Sequence, residues 1–234
     1  MTQHLPYGTP ETPRLAVRGE AHLEVDPETA HLDITVNARG TEHRTTLEDL
    51  TRRNTHVLDL LKNYDHAIEK LETGSFTITP QLTEKGRHER IHAYHGHIHT
   101  TATISDFTAL GELTTRLTAL DLTRVDGPWW SLRPDSPAHR EARRQAVHEA
   151  VQRAREYADA LGARLDAIVE LADIGADDPA PHGPMPYGPP GAAARSVAGY
   201  GGAAHPEPTL DLEPQRQHVH AQINARFTMT RPTL

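Results

Sequence analysis

An alanine occurs at every fourth position over a long stretch near the middle of the chain, and this pattern constrains the fold more than any other. Positions four apart lie on one face of an α-helix, so these alanines form a row of methyl groups along it. Side chains this small let the helix backbone approach its neighbour closely. The pattern predicts a long helix seated either on its own sheet or against a second subunit. The repeat comprises Ala138, Ala142, Ala146, Ala150, Ala154 and Ala158.

Capping signals place this helix and two others along the chain. Ser136, followed by a proline, is typical of a helix start, and Gly162 is typical of a helix end. Another helix is predicted near Thr45, where Thr45-x-x-Glu48 matches a capping box, and a third after Asp106. Both carry apolar residues at helical spacing. The earlier of the two is expected to bury Leu47, Leu50, Val57, Leu58 and Leu61, and the later one Phe107, Leu110, Leu113, Leu117 and Leu120.

Apolar and polar residues alternate over several other stretches, which is the period of a half-buried β-strand. The first two alternations, 15–25 and 30–38, are separated by Asp26-Pro27-Glu28 and predict a hairpin. With the three helices, the strands predict an α+β fold, in which a mixed, largely antiparallel sheet carries the alanine-rich helix. Further strands are predicted over 76–82, 94–104, 125–132, 167–174 and 219–229.

The composition of one segment separates it from the rest of the chain. Residues 175–208 hold seven glycines and eight prolines among 34 positions. Such a segment cannot form a packed core and is expected to be a long mobile loop. Because a clear strand follows it, we predict a single domain over 14–234, interrupted by this loop and preceded by a flexible tail over 1–13.

Charge and cysteine content exclude several classes of function. The chain has 24 Lys and Arg against 32 Asp and Glu, a net charge of −8, which argues against nucleic acid as a partner. Without cysteine it has no disulfide, thiol nucleophile or thiolate metal site. No stretch has the roughly 20 apolar residues of a membrane helix, and none near the start resembles a secretory signal. We therefore expect a cytoplasmic protein without a membrane span.

The segment His88-Glu89-Arg90-Ile91-His92 matches the H-E-x-x-H signature of zinc hydrolases. That chemistry requires a helix, because only there do positions four apart face one metal ion. Here a period-two alternation follows the motif, and four residues of strand span about 13 Å, too far for one zinc. We expect an extended segment with no catalytic residues and no cofactor. A zinc-dependent hydrolase using His88, Glu89 and His92 is the alternative.

Histidine is the one residue type in clear excess, with 17 copies. His95, His97 and His99 alternate along a predicted strand, so their rings share one side of it, with neighbours about 7 Å apart. A pair of them, His95 and His97 above all, is a candidate for weak metal binding, which would make the chain a metal-buffering module. The simpler interpretation is a solvated sheet surface. Other histidines with outward parity are His22, His31, His218 and His220.

Two adjacent tryptophans end the strand predicted over 125–132. Of the two rings, Trp129 and Trp130, we expect one to pack into the core and the other to lie at a subunit contact. The alanine row would also form a subunit contact if it faced another subunit. The candidate residues for an oligomer interface are therefore Trp129, Trp130, Ala142, Ala146 and Ala150.

The order and spacing of several motifs resemble the SIMPL-domain family, which includes the oxidative-stress-defence protein YggE. Val17-x-Gly19-x-Ala21 resembles the opening motif of the family's proteins, and the run from Glu141 to Gly162 resembles the family's alanine-rich helix. The resemblance covers about residues 14–229. Other matching positions are Val25, Pro27, Glu28, Ala30, Leu32, Ile34, Val36, Thr73, Phe76, Ile78, Pro80, Tyr94, Asp106 and Phe107.

The resemblance implies an α+β domain that assembles into ring-, channel- or shell-like homo-oligomers. Bacterial members of the family are linked to limiting oxidative damage, and no catalytic constellation carries over to this chain. The leading hypothesis is therefore a non-enzymatic, self-assembling protein whose partner is itself, with a structural role and a possible link to the stress response.

Overall fold

The computed structural model describes residues 8–82, 91–174 and 210–233. These form an α+β fold of seven strands and three helices, which confirms the predicted fold class. The elements are β1 Arg14–Val25, β2 Thr29–Gly40, α1 His43–Lys62, β3 Ile68–Leu82, β4 Ile91–Ile104, α2 Phe107–Thr118, β5 Thr123–Ser131, α3 Pro137–Ala160, β6 Leu165–Asp173 and β7 Gln217–Met229.

The predicted single domain consists of two compact units. The small-sheet unit contains described residues up to Val25, then those from Asp135 to 174, and finally those from His218 onward. The large-sheet unit contains the described residues from Asp26 to Pro134, together with 210–217. The glycine- and proline-rich segment, predicted as a mobile loop over 175–208, lies outside the described residues.

In the small-sheet unit, α3 packs on a three-stranded sheet of order β1-β7-β6. The alanine row faces this sheet, and Ala142, Ala146 and Ala150 are at most 1% exposed. The helix lies closest to β1 at Gly19, where an added Cβ would overlap the carbonyl oxygen of Ala146. The placement agrees with packing on the chain's own sheet, while a part for these alanines in an oligomer interface stays a prediction.

Both predicted ends of α3 are confirmed. The Ser136 hydroxyl accepts a hydrogen bond from the backbone N–H of Ala138 at 3.3 Å, and Pro137 occupies the first helical position. Gly162 has a φ of 66°, the left-handed conformation that commonly ends a helix. Local chemistry therefore fixes both helix termini.

The large-sheet unit has a four-stranded antiparallel sheet of order β3-β4-β2-β5. One face of the sheet packs against α1 and α2 and forms the larger core. Asp106 caps α2 as predicted, because its carboxylate accepts from the N–H groups of Thr108 and Ala109 at 2.9 and 3.2 Å. The largest fully buried side chains of this core are Leu32, Ile34, Leu50, Leu61, Ile104, Leu110, Leu113 and Leu117.

The predicted hairpin between the first two strands is wrong. β1 pairs with β7, whereas β2 pairs with β4 and β5, so the two strands belong to different sheets. Period-two alternation specifies which side chains face a core but not which strand lies alongside. The two alternations are real, and they face different cores: Val17 and Ala21 face α3, and Leu32 and Ile34 face α1 and α2.

The start of α1 also differs from its prediction. The helix begins at His43, and its N-cap Glu42 makes no side-chain capping bond. The hydroxyls of Thr45 and Thr46 instead donate to the Glu42 carbonyl oxygen at 3.2 and 2.7 Å, so Thr45 lies inside the first turn. The prediction that Leu47 is buried is wrong, because its side chain is exposed.

The predicted N-terminal tail is described only from Gly8 onward. Thr9 and Thr12 exchange two backbone hydrogen bonds, of 3.2 and 3.1 Å, and an isolated bridge joins Gly8 to Pro13. Residues 8–13 therefore form a closed turn that leads into β1.

The close approach at Gly19 predicts a large effect from one added methyl group. We expect Gly19→Ala to lower the free energy of unfolding by about 1 to 3 kcal/mol, because the helix must move away from β1. Urea denaturation followed by circular dichroism measures this change.

The matched control is Gly74→Ala on the edge strand β3. There an added Cβ would lie 3.2 Å from the ring edge of His99 and 3.9 Å from its carbonyl oxygen, so the only tight contact is with a side chain. Equal stability losses in the two variants would contradict the importance assigned to the contact between α3 and β1.

Candidate functional site

The face of the four-stranded sheet opposite α1 and α2 carries a cluster of histidines and hydroxyl groups. Outward residues of β2 and β4 alternate with the core residues, and the antiparallel register places His31 beside Thr103 and Asp33 beside Thr101. We call this surface the histidine face. Its central members are half-buried: His31, Asp33, His95, His97, His99, Thr101 and Thr103.

Both ring nitrogens of His31 are engaged in hydrogen bonds. Nδ1 lies 3.0 Å from the Thr103 hydroxyl on β4, and Nε2 lies 2.9 Å from the Ser131 hydroxyl on β5. Ser131 in turn shares a 2.8 Å hydrogen bond with the hydroxyl of Thr29. This chain of polar groups joins three neighbouring strands, so His31 acts as a cross-strand brace.

Asp33 brings together a second group on the histidine face. Its Oδ1 accepts a 2.8 Å hydrogen bond from the Thr101 hydroxyl and lies 3.5 Å from Nε2 of His99. The same Nε2 lies 3.5 Å from the Thr101 hydroxyl. The three side chains form a compact polar triangle that includes one imidazole.

The two predicted metal candidates lie side by side at the far end of the same face. His95 is paired in register with Arg39 and Thr79, and His97 with Asn37 and Thr77. Nε2 of His95 is buried without a hydrogen-bond partner. Within the described ranges, no three His, Asp or Glu side chains converge in a way that would hold a metal ion. Metal binding by this pair stays a prediction.

The H-E-x-x-H segment is described only at its end. His92 is exposed on β4, directly after the first residue of that strand. His88 and Glu89 lie outside the described residues, so the zinc-hydrolase alternative stays a prediction. The strand that starts at Ile91 agrees with the expected extended geometry of the following histidines.

The two tryptophans occupy different environments. The Trp130 ring packs edge-to-face on Phe107, with centroids 4.8 Å apart, beside the larger core. Trp129 is 49% exposed and lies in register with His31, on the histidine face. Packing by one ring agrees with the sequence analysis, while a subunit contact through Trp129 stays a prediction.

The histidines with outward parity are divided between the two sheets. His31 lies on the histidine face, whereas His22, His218 and His220 are exposed on the three-stranded sheet. The rings of His22 and His220 stack there, with centroids 4.2 Å apart and planes 10° apart. Parity identified the outward side of each strand, but no local signal assigned the strands to their sheets.

A group of charged residues on α1 was missed by the sequence analysis. Asp49 receives a 2.8 Å hydrogen bond from Nε of Arg53 and also pairs with Arg52. The Arg53 hydrogen bond is the main cause that lowers the pKa of Asp49 below its usual value. The spacing of three and four residues along the helix was the available signal. Both arginines line an open cavity of about 420 Å³, together with His56 and Asp121.

Comparison with known proteins identifies the family. The sequence model of SIMPL, described as a protein of unknown function (DUF541), matches residues 15–227. The chain belongs to the SIMPL family. Its curated relatives include the 26 kDa periplasmic immunogenic proteins of Brucella melitensis biotype 1 and Brucella abortus strain S19. Each is 27% identical over 176 residues, which cover 71% of this chain and 68% of the relative.

The comparison corrects the predicted location. The two Brucella relatives are named as periplasmic proteins, which contradicts a cytoplasmic location. That expectation came from the first residues of the sequence, where no secretory signal was recognised. Among the helices that the structure describes, none has the length and apolar character needed to cross a membrane.

The cross-strand brace predicts a stability difference between two histidines of one face. We expect His31→Phe to lower the free energy of unfolding by about 1 to 2 kcal/mol, because two hydrogen bonds are lost. His97→Phe is the control, since none of the described residues forms a hydrogen bond with its ring, and it should change stability by less than about 0.5 kcal/mol. Urea denaturation at neutral pH measures the free energy of unfolding of both variants. A larger loss for His97→Phe than for His31→Phe would refute the role of His31 as a cross-strand brace.

The lowered pKa of Asp49 predicts a pH-dependent contribution to stability. Because the pKa in the folded state lies below that in the unfolded state, the stabilisation is present at neutral pH. It is lost as the pH falls through the folded-state pKa. We expect Asp49→Asn to reduce stability by about 0.5 to 1 kcal/mol at pH 7, the range of exposed ion pairs.

Urea titrations of Asp49→Asn and wild type from pH 7 down to pH 3 measure this difference, which should shrink below about pH 4. The control is Asp59→Asn, which removes a more exposed pair with Lys62 on the same helix. A stability difference for Asp49→Asn that stays constant over this range would show that the charge of Asp49 is not its source.

Proposed function

We propose that this SIMPL-family chain is a non-enzymatic protein that assembles with copies of itself into a ring-, channel- or shell-like oligomer in the periplasm. The observation that carries the proposal is the edge strand β6 of the small-sheet unit. Its side chains are apolar and exposed at neighbouring positions: Ile168 is 54% exposed, Val169 43% and Leu171 51%.

An exposed apolar edge strand favours pairing with another chain. Along its outer side, β6 offers backbone N–H and C=O groups that can extend a sheet. The register of β6 against β7 shifts between Ile168 and Glu170, so Val169 lies at an irregular point of this edge, where its apolar side chain is exposed beside that of Ile168. Pairing with a second copy would bury these side chains and satisfy the backbone groups in one step.

The large-sheet unit has a second edge of similar character. The edge strand β3 exposes the apolar side chains of Leu71, Phe76 and Leu82. Contact between two different surfaces is heterologous, and heterologous contacts generate rings when the rotation closes. We therefore assign the assembly contact to the β6 edge of one copy and the β3 edge of the next.

The remaining parts of the proposal have separate support. The names of the Brucella relatives support a periplasmic location. A role in oxidative-stress defence follows only from the family resemblance, and it would be indirect, since the chain has no cysteine and three methionines. A non-enzymatic role is consistent with the histidine face, where His31 and His99 lie beside hydroxyl and carboxylate partners of their own sheet.

Light scattering coupled to size-exclusion chromatography tests the assembly. We expect wild type to elute as an oligomer and Ile168→Lys to release species close to the 25.9 kDa monomer, because a buried lysine would leave an unpaired charge in the contact. Tyr157→Lys is the matched control. Tyr157 is 53% exposed on α3 of the same unit, so the charge change and the exposure are alike and only the edge differs.

Mixing two variants tests which surfaces meet. Phe76→Lys alters the β3 edge and Ile168→Lys the β6 edge, so a mixture retains one intact contact and should yield a 1:1 complex. A Phe76→Lys variant that still forms dimers alone would show that β6 pairs with β6. A wild-type protein that is monomeric at micromolar concentration would refute self-assembly, and dissociation by Tyr157→Lys alone would move the contact to α3.

A further inference from the structure

We propose that the exposed face of the β1–β7 pair is a binding site for a divalent transition-metal ion of the zinc class, with His22 and His220 as its anchoring ligands. The third ligand comes from the next pair of residues along the two strands, Glu24 or His218, once its side chain rotates toward the two rings. As placed, no three of these four side chains converge on one point. The site is independent of the self-assembly proposed above, because it uses neither β6 nor β3.

Three contacts define the register that brings these residues together. The N–H of Met229 donates to the carbonyl of Pro13 at 3.1 Å, and Nε2 of Gln222 donates to Glu20 at 3.4 Å. The stacked rings of His22 and His220 are the third contact. In each pair the two residue numbers add up to the same value, so β1 and β7 run antiparallel without a bulge. The same register places Glu24 directly opposite His218.

The ligands of this site are exposed, whereas the histidines of the histidine face are half-buried, and only His97 among them has no polar partner within the described residues and no buried ring nitrogen. His22, Glu24, His218 and His220 are all exposed, and no hydrogen bond or ion pair engages their side chains within the part of the chain that the structure describes. On the histidine face, by contrast, His31 has both nitrogens engaged and Nε2 of His95 is buried. An imidazole must offer an unprotonated, accessible nitrogen to bind a metal, so the β1–β7 face is the better site.

The spacing of the two anchors suits a tetrahedral ion. Directly opposed residues of an antiparallel pair have Cβ atoms about 5 Å apart. Zinc binds histidine nitrogen at about 2.0 to 2.1 Å, so two ligands of one tetrahedral ion have nitrogens roughly 3.3 Å apart. The ring centroids are 4.2 Å apart. Rotation of two exposed rings about their side-chain bonds is enough to direct one nitrogen of each toward a shared ion.

The carboxylate of Glu24 favours a cation here. It lies next to the histidine pair and has no cation paired with it among the described residues, whereas Glu20 on the other side is paired with Arg18 at 3.7 Å. Two imidazoles with one carboxylate, or three imidazoles, form the kind of three-ligand set that leaves a fourth position for water. Imidazole ligands select Zn²⁺, Cu²⁺ or Ni²⁺ over Mg²⁺ and Ca²⁺.

Calorimetric titration of untagged full-length protein with Zn²⁺ tests the proposal, with Co²⁺ absorption as a spectroscopic readout of the ligand set. We expect wild type to bind one ion at this site. Both His22→Gln and His220→Gln should weaken binding by at least about 10-fold, because the change of a residue that only orients a metal ligand already lowers affinity by about that factor. Glu24→Gln and His218→Gln identify the third ligand, as the one whose loss alters the Co²⁺ spectrum.

Three control variants separate this site from the chain's other histidines. His148→Gln removes an exposed histidine of α3 in the same unit and should leave binding unchanged. Loss of binding in His97→Gln would place the ion on the histidine face, and loss in His88→Gln would place it on the H-E-x-x-H motif. Either result, or wild-type affinity in both His22→Gln and His220→Gln, overturns the proposal. Circular dichroism of each variant shows whether the fold is retained.

Discussion

The contact between α3 and β1 is the constraint on which the small-sheet unit depends. A sheet of three strands offers little area, so one helix must lie close to it to exclude water from both surfaces. Glycine at position 19 and alanine at positions 146 and 150 allow this approach, since a Cβ on Gly19 would lie only 2.7 Å from that of Ala150. Alanine contributes little apolar area, so close packing must supply much of the stabilisation here. The larger residues of β7, such as Phe227 and Ile223, complete this core.

Local structure could be predicted from the sequence wherever one element carried its own signal. The Ser136 and Asp106 caps, the end of α3 at Gly162 and the buried parity of β4 and β7 all follow from short-range chemistry. Strand pairing could not be predicted, because the alternations of β1 and β2 are compatible with either sheet. The predicted start of α1 was wrong for a related reason. A threonine hydroxyl can cap a helix or donate to a backbone carbonyl within its first turn, and Thr45 donates to a carbonyl.

The candidate sites show the same limit. Outward parity correctly indicated which histidines avoid a core, yet it gave no sign that they belong to two different sheets. Only the pairing of β1 with β7 brings His22 beside His220, two positions far apart in the sequence. The opposite holds for the histidine face, whose members were recognised but whose hydrogen bonds to Thr103, Ser131 and Asp33 depend on the strand register. Residue type thus indicated that these side chains can bind protons or metal ions, and the pairing of the strands decides which of them lie together.

The order of the small-sheet unit along the chain has a consequence for synthesis. Its first strand lies near the start of the described chain, and the strand that pairs with it, β7, lies near the end. A ribosome therefore releases β1 long before its neighbour exists, and this sheet cannot close until β7 has been synthesised. The strands and helices of the large-sheet unit, by contrast, are contiguous from β2 to β5 and need no later segment for their pairing. The nascent protein thus carries one sheet that can form early and one strand, β1, that has no sheet partner until β7 is made.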